Sequence, residues 1–249
     1  LVRSRGLGDV YKRQQLFNPG DLVVITRPGY PAYRNILAAL GLNVVEVAVG
    51  ADTGHALTPV AIEAVEREKG VRVAGVLIAS PANPTGAVHS SQAIAELDAW
   101  CADRGVAFIS DEIYHGLTWS GEESTALKVS DNAIVINSFS KYFCMTGWRI
   151  GWMVLPEDLV RPVECLAQSL YISAPELSQI AAEAALGGTA EMEAVRAGYQ
   201  KNRALLAERL PSLELPFAAP MDGAFYAWVD VSAHTNDSMA FARQMLSEI

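Results

Sequence analysis

From residue 20 onward the chain alternates short apolar runs with segments whose apolar residues recur every three or four positions. "LVVIT" (22–26), "VVEVAV" (44–49), "AGVLIA" (74–79), "VAFIS" (106–110), "AIVINS" (133–138) and "RIGWMVL" (149–155) read as strands. They are apolar along their length instead of at every second residue, the pattern of strands covered on both faces. Helical patterns lie between them. "YPAYRNILAALG" sets Tyr33, Ile36, Leu37 and Leu40 on one stripe, with Gly41 as a stop. "LTPVAIEAVEREKG" offers Thr58 as N-cap, Pro59 at the first helical position and Gly70 as terminator. "SSQAIAELDAWCADRG" turns Ile94, Leu97 and Cys101 to one side. This alternation predicts an α/β fold, a mostly parallel sheet with helices on both faces.

From about Glu157 the pattern turns helical, with a long segment near 189–210, and "LELPFAAPMDGAFYAWVDV" then supplies two strand-like pieces. The expected organisation is a large domain over 15–170, followed over 171–249 by an interdomain helix and part of a smaller α+β domain. The first fourteen residues, "LVRSRGLGDVYKRQ", lack an initiator Met and any apolar period, and read as a non-native scar or disordered leader. At the other end "NDSMAFARQMLSEI" puts Phe241, Met245 and Ile249 on one helical face and stops without a C-cap. The chain reads as an internal fragment.

Composition narrows the classes. The 249 residues are 51% hydrophobic, yet no apolar stretch approaches the length of a membrane span, so a chain free of the membrane is expected. A formal net charge of −9, with no basic block outside the N-terminus, argues against nucleic acid or an anionic membrane as partner. Three cysteines (Cys101, Cys144, Cys165), odd in number and widely spaced, fit a reducing cytoplasm better than a disulfide framework. The four histidines show no metal-ligand spacing, and no metal is expected.

In an open parallel sheet, loops and helix N-termini converge at the carboxyl ends of the strands, where ligands bind. Polar groups follow these strands at once. "LVVIT" leads to "RPGYPAY" with Tyr30; "AGVLIAS" to "PANPTG" with Asn83; "VAFIS" to "DEIY" with Asp111 and Tyr114; "AIVINS" to "FSK" with Ser138 and Lys141. Each has an ordinary reading on its own. Asn83 before a proline forms turns, Asp111 and Ser138 cap helices, tyrosines sit half-buried, Arg149 pairs with an acid, and a lone lysine stays wet. Those readings leave unexplained why all fall at one end of one sheet.

The set "SPANPTG", "SDEIY", "SFSKYFCMTGWRIGW" and "GAFY", in that order over roughly residues 16–249, resembles the motifs of class I/II aminotransferases, pyridoxal-phosphate enzymes of the aspartate aminotransferase fold. The resemblance implies a large domain of that type and a cofactor held as a Schiff base on Lys141. Only a neutral amine forms that bond or abstracts a proton, so a desolvated lysine is expected. Asp111 would pair with the pyridine nitrogen, and Asn83 and Tyr114 would hydrogen-bond the ring's phenolic oxygen. Tyr30 would stack on the ring. Ser138 and Arg149 would bind the 5′-phosphate, aided by an adjoining helix N-terminus. Lys141, Asp111 and Tyr114 are the implied catalytic residues. The implied reaction moves an amino group between an amino acid and a 2-oxo acid, in a homodimer.

Part of the family pattern is missing. The preceding segment with its phosphate-binding glycine turn is absent, and the arginine that clamps the substrate α-carboxylate is expected beyond Ile249. Turnover is therefore expected of the intact parent, not of the fragment. The runner-up is a carbon–sulfur β-lyase on the same fold, which "DEIYHGL" and "MTGWRIGW" disfavour. Another is the cofactor-sensing domain of a transcription regulator, which only the sequence before Gln15 would reveal.

Overall fold

The computed structural model of the chain describes residues 16–248. The expectation for residues 1–14 and the place of Ile249 lie outside them. Six strands form one sheet: β1 (Leu22–Arg27), β2 (Asn43–Ala48), β3 (Val73–Ala79), β4 (Ala107–Asp111), β5 (Ile134–Ser138) and β6 (Gly151–Val154). Their order is β2-β1-β3-β4-β5-β6, parallel except for β6, which runs antiparallel to β5. The six strands read from the sequence between residues 22 and 155 are all present.

Helices cover both faces. Val24, Val76, Ile78, Phe108 and Val135 point to one side, where α2 (Pro59–Lys69) and α3 (Ser91–Arg104) bring Ile62, Ile94, Leu97, Trp100 and Cys101. Val23, Ile25, Leu77, Ile109 and Ile134 point to the other, against Leu37 of α1 (Pro31–Ala39) and Leu159 of α4 (Glu157–Tyr171). Adjacent residues of a strand serve opposite cores, which is why the runs are apolar throughout. The expected α2 signals hold: Thr58 Oγ1 accepts from the Ala61 N–H, Pro59 opens the helix and Gly70 closes it in the left-handed region. The α1 stripe is narrower than expected: Leu37 is buried and Tyr33 packs partly against the same cluster, but Ile36 and Leu40 are mostly exposed.

The chain then turns helical, with α5 (Glu176–Ala185), α6 (Thr189–Ser212) and α7 (Ser238–Glu248). The two strand-like pieces expected in 213–231 are not strands: Phe217–Val229 and Thr118–Gly223 form isolated bridges only. Pro216 and Pro220 remove backbone donors. The segment docks on the loops that follow β3 and β4 instead. Gly223 donates to the Gly86 carbonyl at 2.8 Å, and Ala224 donates to Leu117 at 2.8 Å. That approach needs two glycines, since a Cβ on Gly223 would stand 2.5 Å from Pro81 Cγ and one on Gly86 would stand 2.9 Å from the Gly223 carbonyl. Here lies the physical meaning of the glycines in "PANPTG" and "GAFY".

Candidate active site

The β1–α1–β2 crossover leaves β1 in one direction along the sheet, while β3, β4 and β5 build up on the other side. The chain reverses between β1 and β3, the place where an α/β sheet opens a crevice at its carboxyl edge. Register aligns that edge: Ala79 of β3 pairs with Asp111 of β4, which pairs with Ile136 of β5.

Asp111, the last residue of β4, is where the site condenses. One carboxylate oxygen accepts the Ile113 N–H at 3.0 Å and caps the turn that follows. The other accepts the Tyr33 hydroxyl in a short hydrogen bond. Burial pushes the carboxyl up; the Tyr33 and Ile113 hydrogen bonds work against that, Glu112 adds to it, and His115 opposes it. Tyr33 also meets Tyr30 edge-on, with ring centroids 5.3 Å apart. The phenol of Tyr33 is itself driven up by burial and then by the Asp111 charge.

Tyr114 is buried. Its hydroxyl is pushed up by burial first, then by a short hydrogen bond with the Tyr226 hydroxyl and by the Asp111 charge, while a hydrogen bond with the Asn83 side chain pulls it down. Lys141 Nζ lies 5.5 Å from the centre of the Tyr114 ring and 5.6 Å from that of Phe225, close enough for cation–π attraction when charged. Tyr30, Asn83, Asp111, Tyr114 and Lys141 are thus linked along the rim.

Ser138 ends β5. Its hydroxyl donates to the Ile150 carbonyl (3.0 Å), accepts the Ser140 N–H (3.0 Å) and lies 2.9 Å from Ser140 Oγ. Arg149 is exposed and left-handed, with φ 52°, a costly conformation for a branched-off side chain that clusters at functional sites. Its guanidinium donates to the Thr146 carbonyl at 2.9 Å, and Thr146 Oγ1 donates to the Ser140 carbonyl at 2.7 Å. Arg149 therefore joins the lysine turn through the loop, not through a direct contact with the rim tyrosines. The expected helix N-terminus beside Ser138 and Arg149 is not in this crossover, which holds turns and a three-residue 3-10 helix, Thr146–Trp148.

Three residues here escaped sequence reasoning. Tyr33 had been read as part of a helix stripe, although its position three residues after Tyr30, in the first turn of α1, puts both on one helix face. Ser140 is a second hydroxyl in "SFSK". Tyr226 closes "GAFY", but nothing in the sequence pairs it with Tyr114, 112 residues earlier.

The donor set suits a small phosphorylated pyridine. A part-buried carboxylate can accept an N–H, a phenol that bonds an amide lies beside an amine, and two hydroxyls and a guanidinium belong to the turn that carries that amine. Each Asp111 oxygen accepts one hydrogen bond, from the Tyr33 hydroxyl and from the Ile113 N–H, and the second lone pair on each oxygen leaves acceptor capacity on the group.

Comparison with known proteins agrees. The family described as Aminotransferase class I and II matches residues 8–249. A valine–pyruvate aminotransferase of Mycobacterium tuberculosis is 46% identical over 236 residues, covering 93% of this chain and 60% of that protein. An arginine–pyruvate transaminase of Pseudomonas aeruginosa is 34% identical over 242 residues, covering 94% and 60%. The crystal structure of an aminotransferase from Mycobacterium tuberculosis aligns with a TM-score of 0.88 at 45% identity over 93% of this chain and 60% of that one. Aspartate aminotransferase from Thermus thermophilus with maleate aligns at 0.85, 30% identical, over 93% and 61%. The chain spans about 60% of the length of the curated relatives it matches.

Proposed function

Because the chain belongs to the class I and II aminotransferases, we propose that the protein moves an amino group between an amino acid and a 2-oxo acid with pyridoxal 5′-phosphate. Its sheet has the aspartate aminotransferase fold. One observation supports the site assignment above the rest: the Lys141 amine stands beside Tyr114, on the same sheet edge as a half-buried carboxylate held by Tyr33.

When bound, the cofactor supplies an electron-withdrawing ring that makes the α-proton of an amino acid acidic. In this reading the chain does the rest. Asp111 accepts the ring N–H, and the positive charge it meets there offsets the burial that otherwise raises its carboxyl. Asn83 and Tyr114 hydrogen-bond the ring's phenolic oxygen, and Tyr226 holds the Tyr114 hydroxyl in direction. Tyr30 covers one ring face. Ser138 and Arg149, with Ser140, hold the phosphate, where a guanidinium fork matches the oxygen geometry. Lys141 would anchor the cofactor and, once displaced by substrate, its neutral amine would take the proton from the substrate Cα and give it up again, as general base and then acid.

The same reading makes the protein a cytoplasmic homodimer. It rests there on three unpaired cysteines and on the exposed apolar edge strand β6, where Trp152, Met153 and Val154 are all more than a third exposed. Among the described residues no helix is long and apolar enough to cross a membrane. Two of the relatives above carry pyruvate in their names, so pyruvate is the oxo acid to test first.

The experiment is cofactor capture. Pyridoxal phosphate added to the purified chain should give a visible absorbance band that borohydride fixes onto the peptide containing Lys141. Lys141→Ala should abolish both. A band that persists in Lys141→Ala removes the assignment. Oxo-acid release from valine, set against pyruvate and thiol release from a cysteine conjugate, separates the transaminase from a β-lyase.

A further inference from the structure

Helix α6 runs for 24 residues and buries none of them. Val195, Leu205 and Leu206 stay substantially exposed, so no continuous apolar stripe glues it to the sheet. Its first turns attach through polar groups. Glu193 Oε1 accepts the Tyr142 hydroxyl at 2.8 Å. Arg196 pairs with Glu193 at 3.2 Å, donates to the Thr118 carbonyl at 3.0 Å and lies 5.4 Å over the Trp119 ring. These contacts fall on two loops only, the one that carries Lys141 and the one that follows Tyr114.

Tyr142 is the residue after Lys141, and both its ends are fixed. Its ring lies flat on Gly116, where a Cβ would come within 2.5 Å of Tyr142 Cδ2. Gly116 is itself held by Glu123 through its N–H at 2.8 Å. The hydroxyl end is tied to Glu193, a bond that raises the Tyr142 phenol and lowers the Glu193 carboxyl. Between them the backbone makes a tight turn, with Cys144 N–H on the Lys141 carbonyl at 3.0 Å and Cys144 in the left-handed region. The rotation of that turn sets where the Lys141 side chain leaves it.

We infer that Tyr142 is a positioning residue for Lys141: seated on Gly116 and tied to Glu193, it lets helix α6 fix the direction in which the amine projects toward Tyr114. This rests on the proposed function, since Lys141 matters only if it captures the cofactor. It adds a dependence of that capture on a helix residue 51 positions beyond Tyr142.

The test uses Tyr142→Phe, Glu193→Ala and the double variant, each loaded with pyridoxal phosphate. Glu193 is half exposed on its helix, so its loss leaves the fold intact. The charge-assisted bond removed predicts capture slowed about ten-fold in each single variant, with a shifted midpoint in the pH titration of the absorbance band. The double variant should lose no more than Glu193→Ala alone, because the Tyr142–Glu193 bond is already gone in that single variant, which also gives up the Arg196 pair. A merely structural Tyr142 would lower the melting temperature and leave the capture rate and midpoint at wild-type values, and that result overturns the inference. If the unsubstituted chain captures nothing, the proposed function falls and this inference with it; a normal band with unmoved variants sinks this inference alone.

Discussion

The two halves of the chain are held together differently. In the sheet half, the inner strands β1, β3, β4 and β5 bury residues on both faces, and the flanking α2 and α3 contribute fully buried Ile62, Ile94 and Leu97. In the helical half, α4, α6 and α7 bury no residue at all and α5 buries only Ser178 and Ala182. Leu170, Ile172 and Leu177 are at least 70% exposed there. The first half makes a core from its own sequence. The second half carries apolar side chains that this chain leaves in solvent, and clings to the first through a few polar and aromatic contacts. Substitutions of equal chemistry should therefore cost very different amounts in the two halves.

The largest expected effect is at the sheet. Leu97→Ala, at a fully buried position, should destabilise by about 2–5 kcal/mol in denaturant unfolding, through lost transfer energy and the cavity left behind. A value below that range would mean that the sheet core is looser than its burial indicates.

The next effect comes from acid. His89 is buried, its ring nitrogens have no hydrogen-bond partner, and desolvation holds its pKa down at about 4 against an ordinary 6.5. Between those values the unfolded chain binds a proton that the folded one refuses. Stability contributed by His89 is thus intact above pH 6.5 and is lost as pH falls toward 4, by up to about 3 kcal/mol. Asp111 runs the other way, since a raised carboxyl favours folding in acid. The clean measurement is the difference between the unsubstituted chain and His89→Leu across pH 7 to 4, which should widen as the medium acidifies.

Smaller still is the α2 cap. Thr58→Ala removes the acceptor of the Ala61 N–H and should cost about 1 kcal/mol. Smallest is Leu170→Ala in α4, the helical counterpart of Leu97→Ala, which should move stability by less than about 0.5 kcal/mol. Equal costs at Leu97 and Leu170 would erase the contrast between the halves.

The site follows the same division. Tyr30, Asn83, Asp111, Tyr114, Ser138 and Lys141 of the candidate site were legible because each ends or soon follows a strand, and a parallel sheet brings such positions to one edge. Tyr33 was less legible, because a tyrosine on an apolar stripe looks like core until the neighbouring carboxylate is seen. Tyr226 was not legible at all, since its partner is set by how "GAFY" lands on the loop after β3. The strand-like reading of 213–231 failed for a related reason: apolar alternation there reflects docking against the loops that follow β3 and β4, not a ladder.

The sequence by itself determined the strands, their order of appearance, the helix caps at Thr58 and Gly70, and the edge on which the polar groups gather. Periodicity, turn chemistry and strand ends are local properties, written over a few residues each. Only the tertiary structure decided which hydroxyl reaches Asp111, that Arg149 meets the lysine turn by way of Thr146, and that α6 ties itself to Tyr142. Those are contacts between segments tens of residues apart, and their geometry comes from how the crossovers pack, which no short stretch of sequence encodes.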